Sequence, residues 1–259
     1  MIKCSFFLFC ILFINAACVS APEKQKSLFT TKHYSFTVLH NPNDPDSPKL
    51  ELAMSLLHMN YSEEQNKFLY ELLYSGNNPE TYKDRIFADQ RRRFRNAGMQ
   101  TESSNWRYEE RFTVHNAYEK GIILERELDV FFGGAHGLNT KWYFIIDMEN
   151  KRRVRVDDFF DDYQSEAVRK IVYSELQKFS GLEIYETLSE GIYFSDKPEL
   201  TFNFFLTQEG LGLRWDPYSI APYSAGSIEI ILPWRSIRPL MLHSGMELLT
   251  NFGIYLFVG

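Results

Sequence analysis

The chain has 259 residues, of which 44% are hydrophobic and 24% are charged, with 28 basic and 34 acidic side chains. This composition is typical of a globular protein and excludes disordered, collagen-like and low-complexity chains. The formal net charge of −6 gives no electrostatic basis for binding nucleic acid, so we exclude that class of partner. A single long apolar run, at the N-terminus, excludes a polytopic membrane protein.

The N-terminus has the three-part layout of a secretory signal peptide. A basic head over residues 1–3 is followed by an apolar stretch over residues 6–14 and by two alanines directly before Cys18. This ending resembles a bacterial lipobox, in which the cysteine becomes a lipidated N-terminus. We therefore expect a signal peptide over residues 1–17, a lipid anchor at Cys18 and a polar tether over residues 18–32.

The alternative is cleavage by ordinary signal peptidase after Ala21, which would give a secreted or periplasmic protein. The three cysteines, Cys4, Cys10 and Cys18, all lie in the leader. The rest of the chain therefore has no disulfide framework, thiolate zinc site or cysteine nucleophile. Lipidation is the favoured reading because an otherwise cysteine-free domain keeps one cysteine at the cleavage point.

Hydrophobic spacing and turn residues predict the order of the strands. Two β-rich runs come first, and from Trp106 onward the apolar residues recur with a period of two. The predicted strands are residues 33–39, residues 50–59, residues 122–132, residues 141–148, a strand through Val154 and Val156, residues 200–207, residues 211–215 and residues 227–232.

Three helices are predicted from their start and stop signals. A capping box that begins at Ser62 starts the first helix, and Gly76 ends it. Pro79 takes the first position of the second helix, where a missing N–H costs nothing. Gly98 is expected to end the second helix. The third helix is expected to be capped by Asp161 or Asp162 and to end at Gly181.

Strands in hairpins and separate helices together predict an α+β fold. We expect antiparallel sheets built from hairpins, with about three packed helices and no βαβ alternation. Residues 33–129 are expected to form an N-terminal α+β segment and residues 130–259 a second segment, the two making one continuous globular unit.

Residue patterns that mark common active sites are missing. The sequence has no P-loop, GxSxG, HExxH or CxxC motif, and its six histidines lack the paired spacing of metal ligands. We therefore predict no catalytic residue, no metal and no cofactor. The acidic residues 157–162 are interpreted as a strand end and a helix start, with a cation site as the alternative. The arginines of residues 91–95 are interpreted as a solvated helix face, with contact to anionic lipid or glycan as the alternative.

A glycine-rich string follows the predicted strand 122–132. Gly133, Gly134 and Gly137 surround His136, which indicates a backbone path that needs positive φ or a close approach. We expect a tight bend after which the next strand, from Lys141, returns beside the first. His136 is interpreted as a structural residue that hydrogen-bonds across the bend, with recognition or proton transfer as the alternative.

A second unusual segment lies between two predicted strands near the C-terminus. Tyr218, Pro222 and Tyr223 interrupt it, and tyrosines pack a rigid ring while leaving a hydroxyl for hydrogen bonding. We expect this segment to be ordered against the sheet. Together with Gly133, Gly134, His136 and Gly137, it forms the candidate recognition or structural motif.

These motifs occur in an order that resembles a known family. The chain resembles the RsiV-type extracellular domain of unknown function over about residues 130–242. The similar motifs are residues 133–137, residues 146–160, residues 205–211 and residues 216–226. That domain type forms the outer half of an anti-sigma factor that binds lysozyme, and it also stands beside the catalytic domain of PdaC-like peptidoglycan deacetylases. This chain lacks the deacetylase metal motifs and an internal transmembrane helix. The resemblance therefore implies an exported binding domain.

The sequence thus predicts a lipid-anchored cell-envelope protein with a non-enzymatic binding domain. Its expected partners are the membrane, through the lipid anchor, and an envelope ligand that is either a lysozyme-like protein or a cell-wall glycan. One alternative is an envelope hydrolase centred on His136, for which an enzyme needs a convergent polar cluster. The other is a purely structural envelope lipoprotein.

Overall fold

The computed structural model describes residues 28–97 and 105–256. The expected signal peptide, Cys18 and the first part of the tether lie outside these residues, and so does Gly98. The last residues of the expected tether belong to the first strand, which begins at Phe29. None of the helices in the described ranges is both long and apolar enough to cross a bilayer.

The described residues form an α+β fold with two sheets, as expected. The larger sheet has six strands in chain order, and the smaller sheet has three. The strands are β1 Phe29–Leu39, β2 Lys49–Met59, β3 Trp106–Ala117, β4 Gly121–Phe131, β5 Leu138–Asp147, β6 Arg152–Arg153, β7 Phe204–Leu206, β8 Gly210–Trp215 and β9 Ile228–Pro233. The helices are α1 Glu63–Tyr74, α2 Pro79–Asn96, α3 Glu166–Phe179, the single turn α4 Trp234–Ile237 and α5 His243–Thr250.

One pair of strands departs from the antiparallel pairing of the other neighbours. β2 and β3 are parallel, with Leu50 opposite Trp106 at the start of both strands. Parallel neighbours need a crossover connection, and α1 and α2 supply it between these two strands. The two helices were recognised in the sequence, but their role as a crossover depends on which strands pair, and this is a long-range property.

The start signals of the first two helices are confirmed. Ser62 caps α1 in a capping box with Gln65, whose backbone N–H donates to the Ser62 hydroxyl. The helix ends at Ser75, which has a left-handed φ of 53°. Asn78 caps α2 by accepting from the Thr81 N–H at 2.9 Å, with Pro79 at the first helical position.

The predictions for the C-terminal half are wrong in several details. Ser165, rather than Asp161 or Asp162, caps α3, because the Asp162 carboxylate accepts the Gln164 N–H within a preceding turn. The strand predicted through Val154 and Val156 is absent at those residues, because β6 ends at Arg153 and Val156 begins a turn of 3-10 helix. The strand predicted over residues 200–207 is shortened to β7. β6 ends where the Asp158 carboxylate accepts the Arg155 N–H and the chain turns into the 3-10 helix. The short helix α5 was not predicted.

The six-stranded sheet separates two hydrophobic cores. Alternate residues of β4 and β5 face opposite sides, so Leu124 and Ile146 pack with α1 and α2 while Ile123 and Ile145 pack with α3 and the smaller sheet. The expected boundary between residues 33–129 and residues 130–259 falls inside this sheet, because β4 runs to Phe131 and pairs with β5.

A buried charge lies under α2 in the first core. The Glu110 carboxylate is fully buried and accepts hydrogen bonds from Arg126 at 2.6 Å, Tyr82 at 2.9 Å and Tyr108 at 3.0 Å. These bonds tie α2, β3 and β4 together. A buried carboxylate needs such partners because an unpaired charge in the interior is strongly unfavourable.

The two sheets meet along the outer edge of β5. Asn203, just before β7, accepts the Tyr143 N–H at 3.0 Å and donates to the Lys141 carbonyl oxygen at 2.6 Å. The Asp216 carboxylate accepts the Lys141 N–H at 3.4 Å, and Arg153 donates to the Tyr143 carbonyl oxygen at 3.0 Å. Side chains therefore take the place of a neighbouring strand.

We expect Asn203→Ala to lower the free energy of unfolding by about 1–3 kcal/mol, because it leaves a backbone donor and a backbone acceptor without partners. Asn203→Asp keeps the acceptor but loses the donor, so its free energy of unfolding should lie between those of the wild type and Asn203→Ala. Urea denaturation monitored by circular dichroism measures both. The control is Asn43→Ala on an exposed turn, and equal effects of the two alanine variants would contradict the role of Asn203.

Candidate functional site

The glycine-rich string forms the bend between β4 and β5. Gly133 and Gly134 have φ values of 88° and 95°, a backbone conformation that side chains with a Cβ adopt rarely. The hairpin closes with Val130 opposite Leu138, so the returning strand begins three residues before Lys141. The predicted bend is therefore present, and β5 is longer than expected.

The bend is held by a residue from the second candidate segment. The Tyr223 hydroxyl donates to the Gly137 carbonyl oxygen at 2.9 Å, and the Tyr223 ring stacks on the His136 ring with 4.7 Å between the centroids and an interplanar angle of 23°. The two motifs, separated by 86 residues between Gly137 and Tyr223, thus form one structural unit.

The expected hydrogen bond from His136 across the bend is wrong. His136 is exposed, and its contact among the described residues is the stacked Tyr223 ring. The hydrogen bond across the bend is made instead by Tyr223. The physical reason is that the glycines carry no side chains that would keep the Tyr223 ring away from the bend. The ring therefore covers the bend, and His136 stays at the surface.

The segment with Tyr218 and Pro222 is ordered against the protein, as expected. Its middle is buried at Ile220 and Ala221, and the Ile220 carbonyl oxygen accepts the Phe194 N–H at 2.9 Å. Pro222 precedes a short turn of 3-10 helix that contains Tyr223. The buried middle fixes the exposed aromatic residues on either side of it.

Tyr218 has an unusual backbone conformation in an exposed position. Its φ is 71°, and its ring lies 5.6 Å from the Phe194 ring in an edge-to-face contact. Left-handed φ values are uncommon for residues other than glycine and cluster at functional sites. We define His136, Phe194, Tyr218 and Tyr223 as the aromatic loop surface.

Asp158, in the acidic run after β6, is used within the fold. Asp158 accepts two hydrogen bonds from Arg152, at 2.7 and 2.8 Å, and one from the Arg155 N–H at 2.7 Å. Over the described part of the chain, no group of three or more histidine, cysteine or acidic side chains is arranged to hold a metal ion. In the basic cluster on α2, Arg92 and Arg93 both pair with Asp89.

A polar cluster that the sequence analysis missed surrounds Glu125 on β4. His115 donates from Nε2 to the Glu125 carboxylate at 3.2 Å, and Lys141 Nζ lies 3.1 Å from the same side chain. The hydrogen bond from His115, assisted by Lys141, lowers the pKa of the buried Glu125 carboxyl to about 2. Glu125 is buried because it lies on the face of β4 that the smaller sheet covers.

The position of His115 results from a β-bulge. The register between β3 and β4 shifts between Val114 and Asn116, which leaves His115 as the extra residue. Bulges redirect a side chain and are frequent beside functional sites. A bulge depends on the partner strand, so no local sequence signal could have identified His115. For Glu125, the available signal was the alternation of acidic residues along β4.

Comparison with known proteins gives one family match, which lies within the C-terminal half of the chain. Residues 157–235 match the family model of a protein of unknown function, DUF3298. Over these residues the chain is similar to the DUF3298 family. The matched region contains α3, the smaller sheet and the segment with Tyr218 and Tyr223. No curated protein shows significant similarity to the chain.

Two crystal structures of DUF3298 proteins are similar to the whole fold. One, from Bacteroides fragilis NCTC 9343, has a TM-score of 0.72 and 19% sequence identity, covering 83% of this chain and 94% of that chain. The other, from Pseudomonas aeruginosa PAO1, has a TM-score of 0.61 and 18% identity, covering 84% of this chain and 96% of that chain. At these identities the likeness is one of fold, and it extends well beyond the matched DUF3298 region.

We expect Tyr223→Phe to lower the free energy of unfolding by about 1 kcal/mol, because the Gly137 carbonyl oxygen loses its donor. The matched control is Tyr218→Phe, whose hydroxyl has no protein partner among the described residues and whose stability should stay within about 0.5 kcal/mol of wild type. Thermal and urea denaturation measure both. Indistinguishable variants would show that the bond does not hold the bend.

Proposed function

We propose that this chain is an exported, lipid-anchored protein of the bacterial cell envelope that binds a basic protein through the aromatic loop surface. The observation that carries the binding proposal is the combination of exposed aromatic rings with acidic side chains on the loop that carries Phe194, which form no ion pair within the described residues. The leader sequence and the resemblance to RsiV-type domains support export and the lipid anchor.

The aromatic loop surface has the composition of a protein interface. Tyr218, Phe194 and Tyr223 are 68%, 54% and 37% exposed. Aromatic residues are enriched in interfaces and supply much of their binding energy. Because both tyrosines are held by the buried residues between them, the rings are presented in a fixed arrangement, which lowers the entropy lost on binding.

The loop that carries Phe194 is acidic. Its acidic side chains accept hydrogen bonds from backbone N–H groups of the same loop, as Glu186 does from Glu183, Glu190 from Thr187, and Asp196 from Ser189. Within the described residues, none of these three carboxylates forms an ion pair, so their charge is uncompensated. A basic partner is therefore favoured electrostatically, in line with the net charge of −6.

The contacts of His136 support binding rather than catalysis. A hydrolase centred on this histidine would need a nucleophile or carboxylate in reach. In the part of the chain that the structure describes, its side chain contacts the Tyr223 ring. A stacked, exposed histidine on a rigid bend is suited to recognition.

The test is binding of lysozyme, as a basic probe protein, to the full chain purified in detergent. We expect binding that weakens at least tenfold in the double variant Tyr218→Ala/Tyr223→Ala, and that weakens as salt screens the acidic loop. Isothermal titration calorimetry measures the affinity. Peptidoglycan sacculi serve as the second probe.

The control for this experiment is Tyr255→Ala, which removes a tyrosine that is 63% exposed and lies outside the surface. It should bind as the wild type does. Binding to sacculi alone would support a glycan ligand instead, and lysozyme binding that is unchanged in the double variant would place the interface elsewhere.

We expect Cys18→Ser to move the protein from the membrane fraction to the soluble fraction and to abolish incorporation of labelled fatty acid. Fractionation and metabolic labelling of cells measure the two effects. The control is Cys10→Ser, in the same leader but away from the cleavage point, which should leave both unchanged. A wild-type protein that is soluble and begins at Pro22 would disprove the lipid anchor.

A further inference from the structure

A half-open cavity of about 350 Å³ lies at the junction of the two sheets. His115 and Asn116 from β3, Tyr143 from β5 and Phe205 from β7 line it, and Phe252 after α5 closes one side. Ligand pockets for small molecules have volumes of about 300–1,000 Å³. The cavity is therefore large enough for a small ligand, and it is separate from the aromatic loop surface.

One wall of the cavity is a row of aromatic rings. The His115 ring lies 6.1 Å from the Tyr143 ring, which lies 4.7 Å from the Phe205 ring. The three residues come from three different strands in both sheets. The row therefore exists only when the smaller sheet is docked on β5.

Glycines make room for two of the rings. A Cβ on Gly212 would lie 2.2 Å from the Phe205 ring, and a Cβ on Gly121 would lie 2.5 Å from the Phe252 ring. Any larger residue would displace these rings. The positions of the aromatic side chains are thus built into the backbone and are not the result of loose surface packing.

The polar groups of the cavity leave hydrogen-bonding capacity for a ligand. The side-chain amide of Asn116 donates one bond to the Tyr118 hydroxyl at 2.7 Å, and that of Gln208 donates one to the Gly253 carbonyl oxygen at 3.4 Å. Each amide keeps its carbonyl oxygen and a second hydrogen. His115 uses Nε2 for the Glu125 carboxylate, which leaves Nδ1 for a ligand.

The cavity has no uncompensated charge. Its lining contains no aspartate, glutamate, lysine or arginine. The nearest charge behind the His115 ring, Glu125, is paired with Lys141 at 3.1 Å. A phosphate or carboxylate ligand would find no cationic partner there, which favours an uncharged ligand.

We propose that this cavity binds an uncharged sugar ring. A pyranose has apolar faces that pack on aromatic rings and a rim of hydroxyl or amide groups that pair with side-chain amides and imidazole. The row of rings supplies the aromatic surface for the apolar faces of the sugar. Asn116, Gln208 and His115 supply the hydrogen-bonding partners for its hydroxyl or amide groups. This site depends neither on the lipid anchor nor on the protein partner proposed above.

The experiment titrates the full chain, purified in a detergent without a sugar headgroup, with diacetylchitobiose and with maltose. We expect at least one of them to bind, with chemical-shift changes in NMR spectra and heat in calorimetry. Asn116→Ala and Phe205→Ala should each weaken that binding at least fivefold. Asn116 is exposed, so its replacement leaves folding intact, and melting temperatures verify this for every variant.

The matched control is Phe202→Ala, which removes an exposed phenylalanine three residues before Phe205 and outside the cavity lining. It should bind the sugar within twofold of wild type, and glucose 6-phosphate should bind wild type at least fivefold more weakly than the neutral sugar does. Failure of both neutral sugars to bind, or binding that the two lining variants leave unchanged, would overturn the proposal. Binding of p-cresol without binding of either sugar would also overturn it, in favour of an apolar side chain as the ligand.

Discussion

The outer edge of β5 is the constraint on which the arrangement of the two sheets depends. β4 pairs with one side of this strand, while β6 pairs only with its last residues, Ile146 and Asp147. Backbone groups left without partners in the interior would be costly. Asn203, Asp216 and Arg153 satisfy those of Lys141 and Tyr143, and in doing so they attach the smaller sheet.

The same strand connects the two candidate sites. Its first residue, Leu138, follows the bend that Tyr223 covers, and Tyr143 in its middle forms the centre of the aromatic row in the cavity. Docking the smaller sheet therefore completes both sites at once. Neither is complete within the matched DUF3298 region, because His136 and His115 precede residue 157.

Much of the fold followed from local signals. Capping boxes and proline positions act over a few residues, so the starts of α1 and α2 were predictable from Ser62 and Asn78. The glycines of the bend were equally informative, since a positive φ at Gly133 and Gly134 is a local requirement. By contrast, the end of β6 is set by the Asp158 carboxylate, which accepts the Arg155 N–H, and the start of α3 depended on a choice among several capable capping residues.

The sequence by itself determined the α+β class, the starts of α1 and α2 and the two unusual motifs, because these depend on short-range periodicity and backbone preference. The tertiary structure decided that β2 and β3 are parallel, that Tyr223 covers the bend at His136, and that Glu125 is buried beside His115. Each of these depends on contacts between residues far apart in the chain. Local preferences do not encode which distant surfaces meet; the burial of apolar faces and the pairing of backbone groups across the whole fold select them.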